Sequence, residues 1–317
     1  MTGAAAAADF RDMTEADLEG GLRLSRASGW NQTLADWSLL LSLGPGLFRV
    51  ASRGAQIVAS GGAVRYGDAL AWICMILVHP DERGHGLGKR VFDEVLARCR
   101  AEKDAGRLRS IGLDATPAGR LIYERRGFVE GPALVRMRLE PDPALTRDAA
   151  PSDDPPPRGP AAPRSSVPSD RVTPSPGLAA MRPEDLGAVL ARDREVFGAG
   201  RAGVLRHAYV DAPELAFVAR NGTALSGYCF GRHGDHSNHL GPVVADDQAT
   251  AAALVRAAAR PLPRALTLDA RAEPRWLEGL AAIGFRTVRP LTRMYLDGSP
   301  PPARPEHEPV VFGPEFG

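Results

Sequence analysis

Over its first 140 positions the chain alternates short strand-like runs with helical patterns. Phe10 to Met13 reads as a strand, and Thr14 with Asp17 forms the Thr-x-x-acid start of a helix carrying Leu18, Leu22 and Leu24, which Gly29 ends. A second helical pattern holds Leu34, Trp37, Leu40 and Leu41 and stops at Gly44-Pro45-Gly46. Leu47 to Ala51, Gln56 to Tyr66 and Trp72 to Val78 are strand-like runs joined by Arg53-Gly54 and Gly67-Asp68 turns, which predicts an antiparallel meander. The last of them is an almost unbroken apolar run, as a strand covered on both faces requires. Beyond Pro80, the residues Leu87, Val91, Val95 and Leu96 recur at helical spacing. Ser110 to Asp114 then reads as a strand, Pro117 to Arg126 as a helix, and Gly127-Phe128 and Ala133 to Leu139 as closing strands. The predicted order is β-αα-βββ-α-β-α-ββ.

Between the apolar strand and the long helix lies Arg83-Gly84-His85-Gly86-Leu87-Gly88. A helix start leaves backbone N–H groups without intrahelical partners, and glycines let a ligand approach the backbone, so this place suits a phosphate. A dinucleotide fingerprint fails, because GxGxxG read from Gly84 puts Lys89 at its last position and read from Gly86 puts Val91 there. A Walker loop fails too, since Arg90 follows Gly88-Lys89 and position 83 is Arg. The string resembles the R/Q-x-x-G-x-G/A element of the GNAT acyltransferase family, which sits between the fourth strand and third helix and holds the coenzyme A pyrophosphate. The order of elements is also that of the GNAT fold.

Residues 141–177 are rich in Pro, Ser, Asp and Ala without apolar periodicity, so they cannot offset the entropy of ordering and are expected to be a flexible linker. The rest repeats the first half faintly. Met181-Arg182-Pro183-Glu184-Asp185-Leu186 echoes Met13-Thr14-Glu15-Ala16-Asp17-Leu18, and Leu268-Asp269-Ala270 echoes Leu113-Asp114-Ala115. Gly284-Phe285 precedes Met294 at the interval by which Gly127-Phe128 precedes Met137. Three echoes in one order argue for a duplicated domain. Leu240 to Ala245 would be the counterpart of the apolar strand and Gln248 to Ala259 of its helix, but only Asp246-Asp247 stands between them. Acids there would repel a pyrophosphate. The expected organisation is a GNAT domain at 1–140, the linker at 141–177, a divergent GNAT-like domain at 178–297 and a Pro-rich tail at 298–317. In that tail Val310-Val311-Phe312 can add one short strand. The expected fold class is α/β, two GNAT folds in tandem, each a mixed, mostly antiparallel sheet flanked by helices.

Composition narrows the partners. The net charge of +1 provides no field that would draw the chain to nucleic acid or an anionic membrane. No apolar run reaches the roughly 18 residues of a membrane span, and Met1 to Asp9 lacks the parts of a signal peptide. Cys74, Cys99 and Cys229 have no metal spacing, which fits reduced thiols and a cytoplasmic location. His233, His236 and His239 form HxxHxxH, but the residues between them suggest a hairpin on which the rings alternate faces, so no metal is expected.

The SRASGWNQTLADW segment from Ser25, LDATPAG from Leu113 and DREVFGAGR from Asp193, together with the tandem layout, resemble a family of bacterial tandem GNAT proteins. The resemblance implies that Arg83, Gly84, His85, Gly86, Leu87, Gly88 and Lys89 surround the pyrophosphate, with acetyl-CoA as co-substrate. Arg83 is otherwise a solvated turn residue, and no catalytic role is expected of His85. The family's N-x-x-A-x-x-x-Y-x-x-x-G-F motif stands here as Thr116, Gly119, Tyr123, Gly127 and Phe128, with Thr in the Asn position that contacts the pantetheine arm. The implied chemistry has an amine attack the thioester, backbone near Leu77 and Val78 stabilise the oxyanion, and Tyr123 protonate the thiolate; Tyr123 can alternatively be a core aromatic. Asp114 can serve as base or counterion, or cap the next helix. Trp30, Asn31 and Trp37 lie where GNAT folds cover the acceptor, or belong to the core. The expected function is acetyl transfer to a small amine or peptide N-terminus. The expected unit is a monomer built as an intramolecular pseudo-dimer, or a homodimer. A coenzyme A sensor without turnover is the alternative.

Overall fold

The computed structural model describes residues 7–141, 177–260 and 263–317. Most of the segment expected to be a flexible linker therefore lies outside the described residues. The first half runs β1 (Asp9–Asp12), α1 (Leu18–Ala27), α2 (Leu34–Leu43), β2 (Arg49–Arg53), β3 (Gln56–Tyr66), β4 (Leu70–Val78), α3 (Leu87–Asp104), β5 (Ser110–Ala115), α4 (Pro117–Glu124) and β6 (Phe128–Leu139). The second repeats it as β7 (Leu178–Ala180), α5 (Leu186–Phe197), α6 (Ala202–Asp211), β8 (Phe217–Asn221), β9 (Ala224–Arg232), β10 (Asn238–Ala245), α7 (Gln248–Ala258), β11 (Leu266–Arg271), α8 (Pro274–Ile283) and β12 (Arg286–Leu296), with β13 (Val310–Val311) added. The two closing strands expected near 127–139 are one continuous strand, β6, because it runs along the whole of β12 as a long antiparallel ribbon.

All thirteen strands form one mostly antiparallel sheet, ordered β1-β2-β3-β4-β5-β12-β6-β11-β13-β10-β9-β8-β7. Neither half keeps its last strand beside its own fifth strand. Leu113 of β5 pairs with Met294 of β12, and Leu268 of β11 pairs with Met137 of β6. The residues that echo one another in sequence are thus exchanged between halves. The exchange is fixed by two equivalent ion pairs, Arg293 on Asp114 and Arg136 on Asp269, each with both carboxylate oxygens bonded at 2.8–3.0 Å. Both carboxylates are fully buried, so the matched guanidinium is what makes their burial tolerable.

One sheet face packs on α3 in the first half and on α7 and α8 in the second, as two separate cores. On the other face α1, α2, α5 and α6 share a single core in which Trp37, Trp72, Phe197 and Tyr228 meet. Phe312 and Phe316 complete it. Burying two such rings contributes about 1.5–3 kcal/mol each, enough to hold a segment whose proline content reads as a tail. Backbone carbonyls of that segment also accept hydrogen bonds from the first half, Phe316 O from Tyr66 Oη at 2.6 Å and Pro314 O from Trp72 Nε1 at 2.8 Å.

Candidate active site

A cleft arises where the two parallel strands of the first half part. β4 and β5 pair at Leu70–Ser110, Ala71–Ile111 and Trp72–Gly112, and no register continues beyond them. Past that point β4 is bulged: Met75 takes a left-handed φ of 56°, and the register with β3 slips between Ser60 and Gly62. A positive φ at a non-glycine residue is strained, and here the Ser60 hydroxyl holds it by donating to the Met75 carbonyl at 3.0 Å. The bulge and the parting leave the edge of β4 at Ile76, Leu77 and Val78 without a strand on that side. A cleft of about 390 Å³ occupies the gap, walled by these residues, Trp30, Phe92, Thr116, Gly119 and Tyr123.

The glycine turn delivers α3 to the mouth of this cleft. Gly86 is the residue before the helix and adopts φ 75°, which glycine reaches without penalty. Gly88 lets the first turn lie on β4, since a Cβ there would stand 2.9 Å from Val78 Cγ2. No acid occupies the first turn of α3, and neither Arg83 nor Lys89, both lining the cleft, has an ion-pair partner among the described residues. Free N–H groups, a favourable helix field and two uncommitted cations converge on one spot, which is a site for a polyanion. His85 is exposed, and among the described residues its ring bonds only to Glu82 O, at 3.2 Å.

At its inner end the cleft meets a smaller cavity of about 70 Å³, room for roughly two water-sized groups. Trp30, Ile76, Thr116 and Tyr123 line both. Tyr123 packs on Phe92, ring centroids 4.7 Å apart, and burial pushes its hydroxyl up to about 12, so it is protonated at neutral pH. Its hydroxyl has no hydrogen-bond partner among the described residues. Thr116 is the cap of α4, its Oγ1 accepting the Gly119 N–H at 3.3 Å. Asp114 lines the cavity but does not cap that helix, and both its oxygens are engaged by Arg293. Cys74 lies in the same wall, its thiol driven far up by burial and therefore inert.

Of the three residues expected against an acceptor, only Trp30 reaches the cavity. Trp37 is fully buried, donates to Ser25 Oγ at 3.0 Å and belongs to the core. Asn31 instead grips the second half: its Oδ1 accepts from the His236 and Ser237 N–H groups and its Nδ2 donates to Ser237 O. The histidines of that hairpin diverge. His233 meets Glu214 at 2.8 Å, His236 is exposed, and His239 is buried beside Asp269 at 3.6 Å. Sequence reasoning passed over Pro314 and Glu315, which close the far wall of the cavity. The apolar Val310-Val311-Phe312 run was the signal that this segment is built in.

At the corresponding place in the second half a cleft of about 440 Å³ stands at the start of α7, but Asp246 and Asp247 line it. β10 and β11 pair in parallel at 238–240 with 266–268 and then part, as β4 and β5 do. β13 fills the gap, Val310 pairing with Val243 on one side and Ala270 on the other. The start of α7 is taken by its own cap, Asp247 accepting the Thr250 N–H at 2.7 Å, with Asp246 beside it.

Comparison with known proteins follows the same division. Residues 44–130 match an acetyltransferase (GNAT) domain family and residues 189–309 a second family of the same description, together well over half of the chain. The chain is 24% identical over 277 residues to a holothin acyltransferase of Pseudoalteromonas sp. (strain SANK 73390), covering 86% of this chain and 83% of that protein. The crystal structure of a candidate acetyltransferase from Pyrococcus horikoshii superposes with a TM-score of 0.72 at 20% identity, over 98% of this chain and 96% of the other. A tandem GNAT protein from the clavulanic acid biosynthesis pathway gives 0.55 at 15% identity, over 93% and 99%. At these identities the two structures speak for the fold alone.

Proposed function

The chain belongs to the GNAT acetyltransferase family, two such domains in tandem, and from that premise we propose that its first half transfers acetyl from acetyl-CoA to a primary amine by direct attack in a ternary complex. One observation carries this reading: the unobstructed start of α3, with Arg83 and Lys89 unpaired among the described residues, opens into a cleft that ends at a small cavity lined by Tyr123. The residues fit coenzyme A. N–H groups from Gly84 to Lys89 and the two cations would bind its pyrophosphate, while Thr116 would border the pantetheine arm, although its hydroxyl oxygen already accepts the Gly119 N–H.

Bound acetyl-CoA supplies an activated thioester carbonyl. The chain's part is to hold that carbonyl against the unpaired edge of β4, where backbone near Leu77 and Val78 can donate to its oxygen. Tyr123 holds a proton at its hydroxyl for the departing thiolate, whose ordinary pKa lies well below about 12. Asp114 is better suited to anchoring Arg293 than to taking a proton, because both oxygens are already charge-paired. The amine's proton would leave through water. The second half contributes walls rather than a second reaction centre, and the exchanged strands favour a monomer that is its own pseudo-dimer.

Thiol release from acetyl-CoA, followed with a panel of primary amines, tests the reading. Release with at least one amine supports it. A chain that binds the coenzyme and releases no thiol with any of them would be a sensor or binding module.

A further inference from the structure

A pocket of about 330 Å³ lies against the ribbon of β6 and β12, beside Phe197 and Tyr295 of the shared core, and has no lining residue in common with the coenzyme cleft or the cavity behind Tyr123. Its size is that of a small-molecule site. On one side stand Val129, Gly131 and Tyr295 of the ribbon, and Gly131 puts no side chain into the space. On the other runs the loop from Gly298 to Pro305, whose prolines restrict its backbone. The middle of this loop is pinned to the end of α5 rather than to the ribbon: Arg304 N donates to Val196 O at 2.8 Å, and Gly198 packs so closely that a Cβ there would stand 2.9 Å from Pro302 C and Ala303 N. The pocket is therefore held open.

Charge around it is matched. Arg293 is held by Asp114, Arg201 and Arg271 are served by Asp193 and Glu308, and the half-exposed Glu130 pairs with Arg120. What remains over is hydrogen-bond donors. Arg271 gives its Nε to Glu308 O at 2.7 Å and its Nη2 to Glu308 Oε2 at 3.2 Å, but its Nη1 is buried with no partner among the described residues. The hydroxyl of Tyr295 has none among them either. A buried donor left unmade is costly, and the rest of the wall, Phe197, Val129, Pro300, Pro301 and Ala303, offers no acceptor side chain.

We propose that this pocket is a second small-molecule site, for an uncharged compound with a compact apolar body and a carbonyl oxygen that accepts from Arg271. The apolar body lies against Phe197 and Val129, and the Tyr295 hydroxyl is a further donor for the same ligand. An anion brings one charge too many into surroundings already balanced, and a pure hydrocarbon leaves the donors unmet. The site stands apart from the coenzyme cleft, so it holds whether or not the first half turns acetyl-CoA over.

The test titrates the full chain with three probes of one ring, acetophenone as the carbonyl compound, ethylbenzene as the hydrocarbon and benzoate as the anion, with binding followed by ligand-observed NMR. Acetophenone is expected to bind saturably, about tenfold or more tighter than either of the others, the worth of one hydrogen bond from a charged donor. Arg271→Met should remove its advantage over ethylbenzene. The same titration with coenzyme A present should give the same affinity, and displacement of acetophenone by the coenzyme places it in the cleft beside α3 and overturns the proposal. No saturable binding of acetophenone, affinity no better than that of ethylbenzene, tighter binding of benzoate, or an advantage kept in Arg271→Met overturns it as well. Should Arg271→Met not fold, Val129→Trp decides the matter. Val129 is 52% exposed, so the larger ring fills the pocket without disturbing the core, and it must block acetophenone. Acetophenone bound to Val129→Trp as to the parent chain refutes the site.

Discussion

Replacing Arg293 by methionine removes a guanidinium that belongs to the second half in sequence and to the first half in space. The Asp114 carboxylate, fully buried and bonded to Arg293 at 2.9 and 3.0 Å, would be left without a counter-charge. Stripping one partner from a buried pair costs about 3–5 kcal/mol. Replacing both, as Asp114→Leu with Arg293→Met, removes the stranded charge and should leave a deficit of only about 1–2 kcal/mol, the share of the guanidinium stacked 4.7 Å from the Trp72 ring. Urea unfolding of the single and double variants gives both numbers. Hydrogen exchange then locates the damage, which is expected in β5 around residues 110–115, the neighbour of β12, and in β4 around residues 70–78, which pairs with β5 and carries Trp72 under the guanidinium. A single variant that costs under about 1 kcal/mol, or loss of protection confined to residues 178–296, would refute the exchanged arrangement.

Two further outcomes follow from groups already described. Tyr123→Phe should lower kcat by about 10²–10⁴ while the affinity for coenzyme A holds, since only the hydroxyl that protonates the thiolate is removed; a fully active variant takes Tyr123 out of the chemistry. Burial drives His239 down from its ordinary 6.5 to about 4. The unfolded chain therefore takes up a proton over that range that the folded chain refuses, so the stability present above pH 6.5 is lost as pH falls towards 4, by up to about 3 kcal/mol. His239→Gln should flatten this part of the pH–stability curve, and an unchanged curve would show that His239 does not cause it.

Local signals read well from the sequence because each has a local cause. The Thr14-Asp17 start, the apolar β4 run and the Arg83 to Gly88 turn rest on caps, periodicity and glycine, all of which act within a few residues. The echoes between Leu113 and Leu268, and between Met137 and Met294, revealed the duplication. They could not reveal that the paired residues trade partners, since an exchanged strand and an unexchanged one present the same side chains to the same environment. Trp37 and Asn31 looked like acceptor contacts for a related reason: helix placement was legible, but whether a face meets a cavity or the other half depends on long-range packing. Glu315 was obscured by its own neighbourhood. A proline-rich stretch reads as a tail, yet two valines fill a strand-shaped gap and two phenylalanines anchor the turn that follows.

The central claim is that the chain repeats the fold but keeps one coenzyme site, at the open strand edge of β4, whereas beside β10 the strand gap is filled by β13 and the cleft at the helix start is lined by Asp246 and Asp247. Calorimetric titration of acetyl-CoA into the full chain measures this directly. One site per chain is the predicted result, lost when Arg83 and Lys89 are both replaced by alanine. Two equivalent sites per chain would contradict it.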